Sequence, residues 1–269
     1  MRLDAHQVAA ETQVVRGAKL GEQVVTASSG ATSPRTFVLV HGAGHGGWCY
    51  RRVAELLRAQ GHGVFTPTLA GLAERFQEDA RAINLTTHIG EIIALLEAED
   101  LEDVVLCGHS YGGMVVGGVA DRIPGRIANL VFLDAVIPEN GKCMTDYVFP
   151  GEALLGVVQA VGASGGGLWL ASPPAAFFKV NEADQTWADG LLTPHPFASL
   201  IERITIGDNA GRIAAHTYIF ATQWGFPPII EQYQRARTLP GWAVFEVDCG
   251  HDVMIDAPDR LAEILAELD

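Results

Sequence analysis

One stretch of this chain leaves few folds open. Val104-Val105-Leu106-Cys107 has the β-branched, apolar character of a buried strand. Gly108-His109-Ser110-Tyr111-Gly112 follows, and Gly113 to Ala120 is a helical pattern of small residues. Strand, sharp turn and helix are compressed into one short segment with a serine at its apex. Glycines on both sides remove the Cβ atoms that would clash in so tight a turn. The turn lifts the Ser110 hydroxyl above the sheet, in front of a helix N-terminus whose unpaired N–H groups favour developing negative charge. Ser110 reads as a candidate nucleophile.

Two further segments have matching character. Phe37-Val38-Leu39-Val40 runs into the glycine-rich loop His41-Gly42-Ala43-Gly44-His45-Gly46-Gly47-Trp48, and a helix follows from Tyr50 to Gln60. Near the other end, the strand-like Trp242 to Val247 leads to Cys249-Gly250-His251 and a final helix from Ala257 to Leu268. The order of glycine-rich loop, serine turn and late histidine resembles the α/β-hydrolase fold. The loop from His41 to Trp48 is similar to that of the plant methylesterase and hydroxynitrile-lyase branch and its bacterial esterase relatives. The resemblance covers residues 37–135 and 240–268 and is weak over 136–215. It implies a mostly parallel central sheet with helices on both faces.

Alternation of strands and helices from Phe37 onward points to the same parallel sheet. Strands are expected at 37–41, 63–67, 104–109, 129–134, 216–222 and 242–248, and helices at 49–60, 86–98, 111–122, 227–237 and 257–268. Residues 1–10 read as a tail or short helix, 12–16 and 23–27 as a hairpin, and 28–34 as a polar loop. The alternation breaks at 136–205, which is rich in Gly and Pro and holds Phe149, Trp169, Phe177, Phe178 and Trp187. The expected organisation is a core of 1–135 and 206–269, with 136–205 as a cap inserted after the strand that ends near Asp134. Aromatic residues of such a cap either line an acyl or alcohol pocket or pack the cap on the core. Trp169, Phe178 and Trp187, with Gly42 and His45 below them, are the pocket candidates.

Composition limits the partners. Net charge is −14, from 18 Lys and Arg against 32 Asp and Glu, which argues against nucleic-acid or anionic-membrane binding. The four cysteines, Cys49, Cys107, Cys143 and Cys249, have neither metal spacing nor a disulfide pattern. The N-terminal stretch has no apolar signal core, so a cytoplasmic location is expected. Monomer and homodimer both stay open.

A serine hydroxyl is a weak nucleophile until an oriented base takes its proton. His251, after the last core strand, is the best base. His41 is implied by the resemblance to be a buried hydrogen-bonder, and His109 to point away from the serine. His45 either reaches the pocket rim or stabilises its loop. His6, His62, His88, His195 and His216 sit in tail, turn, cap or helix-start positions with no assigned role. Two backbone N–H groups, of Ala43 and of Tyr111, are expected to form the oxyanion hole. The third triad member departs from the plant branch, where an acid follows the penultimate core strand. No carboxylate occurs here from Asn209 through Ile230. Asp134 is favoured because it ends the strand after the nucleophile's helix, where the haloalkane dehalogenase branch takes its acid. Asp208, Asp248 and Asp252 are the alternatives, the last two lying close to His251 in sequence.

The expected activity is metal-independent and cofactor-independent hydrolysis of small to medium, uncharged, partly aromatic carboxylic esters through an acyl-enzyme. Amides and lactones stay open as substrates. Cyanohydrin lyases of the resembling branch place threonine and lysine where this chain has Gly42 and Asp252, which weighs against lyase chemistry. A dehalogenase is excluded because its nucleophile is a carboxylate. A non-catalytic ligand-binding homologue is the remaining alternative, and the intact Ser–His pair weighs against it.

Overall fold

The computed structural model describes residues 33–164 and 166–268. The tail and hairpin expected within residues 1–27 lie outside the described residues. The described strands are β1 (Thr36–Val40), β2 (Gly63–Phe65), β3 (Val104–His109), β4 (Ile127–Leu133), β5 (Trp169–Leu170), β6 (His195–Pro196), β7 (Ala215–Ala221) and β8 (Trp242–Val247). The helices are α1 (Arg51–Ala59), α2 (Leu85–Ala98), α3 (Gly112–Arg122), α4 (Met144–Val148), α5 (Ala153–Ser164), α6 (Glu182–Asp189), α7 (Phe197–Ile201), α8 (Pro227–Ala236), α9 (Val253–Asp256) and α10 (Pro258–Glu267). Six strands form one sheet in the order β2-β1-β3-β4-β7-β8, every pair parallel. β5 and β6 pair antiparallel in a separate ribbon.

The core strands are apolar along their whole length because both faces of the sheet are covered. Successive side chains point to opposite faces. Val38, Val40, Val104 and Leu106 join residues of α2, α3 and α8 in one buried cluster. Phe37, Leu39, Val105 and Cys107 join residues of α1 and α10 in the other. Local sequence sets the helix starts. Asn84 caps α2 by accepting the Thr87 N–H at 2.8 Å, while Thr87 Oγ1 accepts the Asn84 N–H at 3.3 Å. Prolines open α8 and α10, where a missing N–H costs nothing.

The expected core elements lie within two residues of the observed ones, with one division: the helix expected over 49–60 begins as a 3₁₀ turn, Gly47–Tyr50, before α1. The long excursion between β4 and β7, for which the sequence pattern predicts no individual strands or helices, is structured. It contains α4 to α7 and the β5–β6 ribbon. Parallel pairing sends the loops after β1, β3, β4 and β8 to the same edge of the sheet, and the chemistry gathers there. Among the described residues, no helix is long and apolar enough to cross a membrane.

Candidate active site

Ser110 stands at the apex of the β3–α3 turn with φ of +53°. A non-glycine residue in this left-handed region stores strain and persists only where surrounding structure holds it. The hold is visible: the Ser110 N–H donates to Leu133 O at 3.2 Å, and the Ser110 carbonyl accepts from Gly113 at 3.1 Å and Val136 at 3.3 Å. The flanking glycines are forced by contact. A Cβ at Gly108 would lie 2.4 Å from Gly112 O, and one at Gly112 would lie 2.7 Å from Val40 O.

The loop after β1 runs beside this turn. His41 donates from Nδ1 to Gly42 O at 2.8 Å and accepts the Leu69 N–H at Nε2, 3.1 Å away. The excursion grips the same loop. Thr193 N–H donates to Gly44 O at 2.9 Å, and Gly44 N–H donates to His195 Nδ1 at 3.2 Å. His195 Nε2 is 2.8 Å from Ser199 Oγ, which donates to Pro196 O at the same distance. The Ala43 and Tyr111 N–H groups are not engaged in the turn and loop hydrogen bonds of the described residues.

His251 and Asp134 meet. Nδ1 of His251 donates to Asp134 Oδ2 at 2.6 Å, and Asp134 Oδ1 accepts the Ala221 N–H at 3.0 Å. Asp134 is wholly buried and has φ of +44°. Burial, with the nearby Asp252 charge, pushes its carboxyl well above the ordinary carboxylate range, against the opposing pull of the Ala221 N–H. Burial also pushes the His251 imidazole below its ordinary value, so the ring is neutral at pH 7. The backbone of His251 is tied to the excursion through its N–H, which donates to Phe178 O at 2.8 Å. The alternative acids are elsewhere. Asp248 accepts from Thr222 Oγ1 at 3.0 Å, Asp252 pairs with His45, and Asp208 precedes the 3₁₀ turn Asn209–Arg212.

Trp224 lies in the segment Thr222 to Phe226 that follows β7 and holds no carboxylate. The indole stacks on the His251 ring, with centroids 3.8 Å apart and planes 24° from parallel, and its Nε1–H donates to Phe177 O at 2.9 Å. Nothing in the sequence pattern singled Trp224 out.

Ser110, His251, Ala43, His45 and Trp224 border one cavity of about 300 Å³. Its other walls are mainly apolar, including Met144 and Val148 of α4, Leu170 of β5 and Phe177, Phe178 and Phe226. Of the pocket candidates, Phe178 and His45 border it, and Gly42, Trp169 and Trp187 do not. Trp169 packs on Phe76, with ring centroids 4.7 Å apart. Trp187 packs edge-on against Trp48 at 5.2 Å beneath Arg51 and Arg52. These two tryptophans fasten the excursion to the core, the packing alternative. Gly42 has no room for a side chain, since a Cβ would lie 2.8 Å from His109 Nδ1.

His88 and His195, given no role from sequence, are buried around Tyr111. His88 Nδ1 is 2.8 Å from Tyr111 Oη, and the His195 and Tyr111 rings are 4.7 Å apart. Folding also brings His109, His251 and Asp252 together, with potential ligand atoms within 4.8 Å of one another. His109 Nε2 donates to His251 O at 3.1 Å and Asp252 Oδ2 faces His45, while His109 Nδ1 and Asp252 Oδ1 are buried without a hydrogen-bond partner.

Ser110, with positive φ, and the His251 imidazole, with the Asp134 carboxyl on its far nitrogen, thus border one apolar cavity. The model of the alpha/beta hydrolase family matches residues 37–264. The chain belongs to the alpha/beta hydrolase family. It is 39% identical over 238 residues to a carbendazim hydrolyzing esterase from Nocardioides, a match covering 86% of this chain and 98% of that protein. It is 26% identical to a pyrethroid hydrolase from Sphingobium wenxiniae, covering 86% of each. An extracellular alpha/beta-hydrolase from a Paenibacillus species, described as sharing structural and functional homology with tobacco Salicylic Acid Binding Protein 2, superposes with a TM-score of 0.74 at 26% identity. That superposition covers 87% of this chain and 98% of the other.

Proposed function

We propose that the enzyme is a carboxylic ester hydrolase that works through a Ser110–His251–Asp134 triad and an acyl-enzyme. The observation that carries the reading is the convergence of the strained Ser110 and the Asp134-bound His251 on one apolar cavity. The esterase and pyrethroid hydrolase named among the relatives support ester cleavage as the reaction class.

In this reading, Ser110 Oγ attacks the ester carbonyl carbon while His251 Nε2 takes the hydroxyl proton. Charge that gathers on the carbonyl oxygen is met by the Ala43 and Tyr111 N–H groups. His251 then returns the proton to the alkoxide as the carbon–oxygen bond breaks. A water molecule, deprotonated by the same nitrogen, attacks the acyl-enzyme; the bond to Ser110 Oγ then breaks, His251 returns the proton to Oγ, and the acid is released. Asp134 keeps the proton of neutral His251 on Nδ1, leaving Nε2 free to accept, and stabilises the imidazolium that forms.

The excursion over 136–205 acts as a lid. It supplies the apolar walls from α4 and β5, and it anchors both the loop after β1 and the backbone of His251. The apolar walls favour uncharged esters with aromatic or branched groups. Lyase chemistry is disfavoured by two observations. A side chain at position 42 would collide with His109, and Asp252 is taken up by His45.

The test is turnover of a panel of p-nitrophenyl and methyl esters of graded acyl size, with a lactone and an amide, by the enzyme and by Ser110→Ala. Ser110→Ala should lose about 10⁴-fold or more in kcat while staying folded. A folded Ser110→Ala enzyme that keeps most of its activity would refute the mechanism.

A further inference from the structure

Hydrogen-bond partners reveal which nitrogen of a buried histidine carries a proton, because carbonyl and carboxylate oxygens only accept and backbone N–H groups only donate. His41 faces one acceptor, Gly42 O, and one donor, Leu69 N–H, so it is neutral. His195 accepts the Gly44 N–H at Nδ1 and is neutral as well. His88 donates to Ala70 O through Nε2 at 3.0 Å and can accept the Tyr111 hydroxyl at Nδ1. His251 donates from Nδ1 only. His45 differs from all of these. Its Nδ1 is 2.9 Å from Ala43 O and its Nε2 is 3.1 Å from Asp252 Oδ2. Ala43 O can only accept, so Nδ1 donates, and an ionised Asp252 can only accept, so with that carboxylate Nε2 donates as well.

We infer that His45 is an imidazolium and Asp252 a carboxylate, and that this buried ion pair is a positioning device that locks the loop carrying the Ala43 N–H to the loop carrying His251. The geometry makes the pair a direct link. His45 lies two residues past Ala43 and bonds its carbonyl, and Asp252 directly follows His251. Both side chains are 1–2% exposed. The ring is held in place by Trp48, stacked at 5.5 Å, and by Phe178 at 5.7 Å.

Energetics favour a positioning role over a stabilising one. A buried ion pair seldom outperforms a well-packed apolar pair for stability, because desolvation cancels most of the attraction. What it supplies is register. If one partner is lost, the other is left charged and buried, so the two loops are strongly bound to a single relative placement.

The charges around the pair are consistent. Burial opposes the His45 cation, but the charge of Asp252, its hydrogen bond and the bond to Ala43 O outweigh it and raise the imidazole above its ordinary value. Burial likewise opposes Asp252, but His45, with His109 and His251, holds its carboxyl down at about 2. Other titratable groups face the pair from each packed element. They are His41 after β1, Cys49 and Tyr50 in the 3₁₀ turn, His109 at the end of β3, with Nε2 3.8 Å from Asp252 Oδ1, Asp134 after β4, His195 of β6, Cys249 and His251 after β8, and Asp256 of α9; the Asp134 and Asp256 carboxyls oppose the Asp252 charge. Burial keeps those histidines neutral and the thiols protonated at pH 7. Because the folded-state value of His45 is raised, its contribution is complete below pH 6.5 and fades as pH rises through the folded value. Activity should therefore have an alkaline limb that belongs to His45.

The experiment has two arms. The first uses long-range ¹H–¹⁵N correlation spectra of the ¹⁵N-labelled enzyme at pH 7 and is independent of the ester hydrolase reading. It should show one histidine with both ring nitrogens protonated, absent from His45→Gln and converted to a neutral pattern in Asp252→Asn. A neutral His45 at pH 7 overturns the inference. The second arm, which rests on that reading, is kinetic. Asp252→Asn and His45→Gln should each lower kcat about tenfold with KM nearly unchanged, and each should remove the alkaline limb. Unchanged kcat in both folded variants overturns the positioning role. If neither variant folds, the enzyme itself decides. His45 should titrate in the spectra at the same pH as the alkaline limb, and titration at a different pH counts against the proposal.

Discussion

Replacing Asp134 by Asn probes the weakest-marked member of the proposed triad. In the enzyme, Oδ1 accepts the Ala221 N–H at 3.0 Å and Oδ2 accepts the His251 Nδ1–H at 2.6 Å. An Asn can keep the first bond only by turning its carbonyl oxygen toward Ala221, since the reverse orientation would set two donors face to face. Its NH₂ then points at His251 Nδ1 and donates to it. The imidazole proton must move to Nε2, the nitrogen that has to accept from Ser110. The substitution thus adds no bulk and installs the inactive tautomer. The expected loss is up to about 10⁴-fold in kcat, equivalent to roughly 5 kcal/mol of transition-state stabilisation. KM should change little, because the carboxylate acts on an imidazolium that exists only along the reaction. Steady-state hydrolysis of a p-nitrophenyl ester, with circular dichroism to verify folding, measures the effect. A folded Asp134→Asn enzyme retaining more than a tenth of kcat would refute the reasoning.

Other outcomes follow from neighbouring contacts. Trp224→Leu removes a ring stacked on the imidazolium, a contact worth about 1–2 kcal/mol when desolvated, so kcat should fall several-fold to about thirtyfold and the acid limb should move to lower pH; an unmoved limb would count against the contact. The rate should rise with pH through His251, because only its neutral form accepts the serine proton, and the midpoint should lie below pH 6.5 because burial disfavours the cation. Chelation with EDTA should leave activity unchanged, and reactivation by zinc after chelation would contradict this. Stability should fall in mild acid. His41, His88, His109, His195 and His251 are held neutral by burial, so the unfolded chain binds more protons below pH 6.5. Each should cost roughly 1 kcal/mol between pH 7 and pH 5.5, readable as a lower Tm.

The core was legible because its signals are local. A strand buried on both faces must be apolar throughout, as Val104 to Cys107 are, and a turn as tight as that at Ser110 must be flanked by glycine. Asp134 could be singled out because a carboxylate at the end of an apolar strand is costly without a partner, and because the segment from Asn209 to Ile230 offered none. The excursion from 136 to 205 resisted for the opposite reason. Three of its helices, α4, α6 and α7, have only 5, 8 and 5 residues, and aromatic residues that line a cavity look the same in sequence as those that pack. Trp169 and Trp187 pack against Phe76 and Trp48, while Trp224 and Phe177, without a distinguishing pattern, border the cavity. His195 and Asp252 act through partners 151 and 207 residues away, Gly44 and His45, and no periodicity encodes such pairs.

The central claim is that Ser110 is the nucleophile, and covalent labelling tests it most directly. The active enzyme would be treated with a fluorophosphonate, and the site of the adduct mapped by peptide mass spectrometry. The account predicts one adduct per chain, on Ser110, formed in step with loss of esterase activity and absent from Ser110→Ala. An enzyme that hydrolyses esters yet is labelled elsewhere, or that stays unlabelled at full activity, would contradict it.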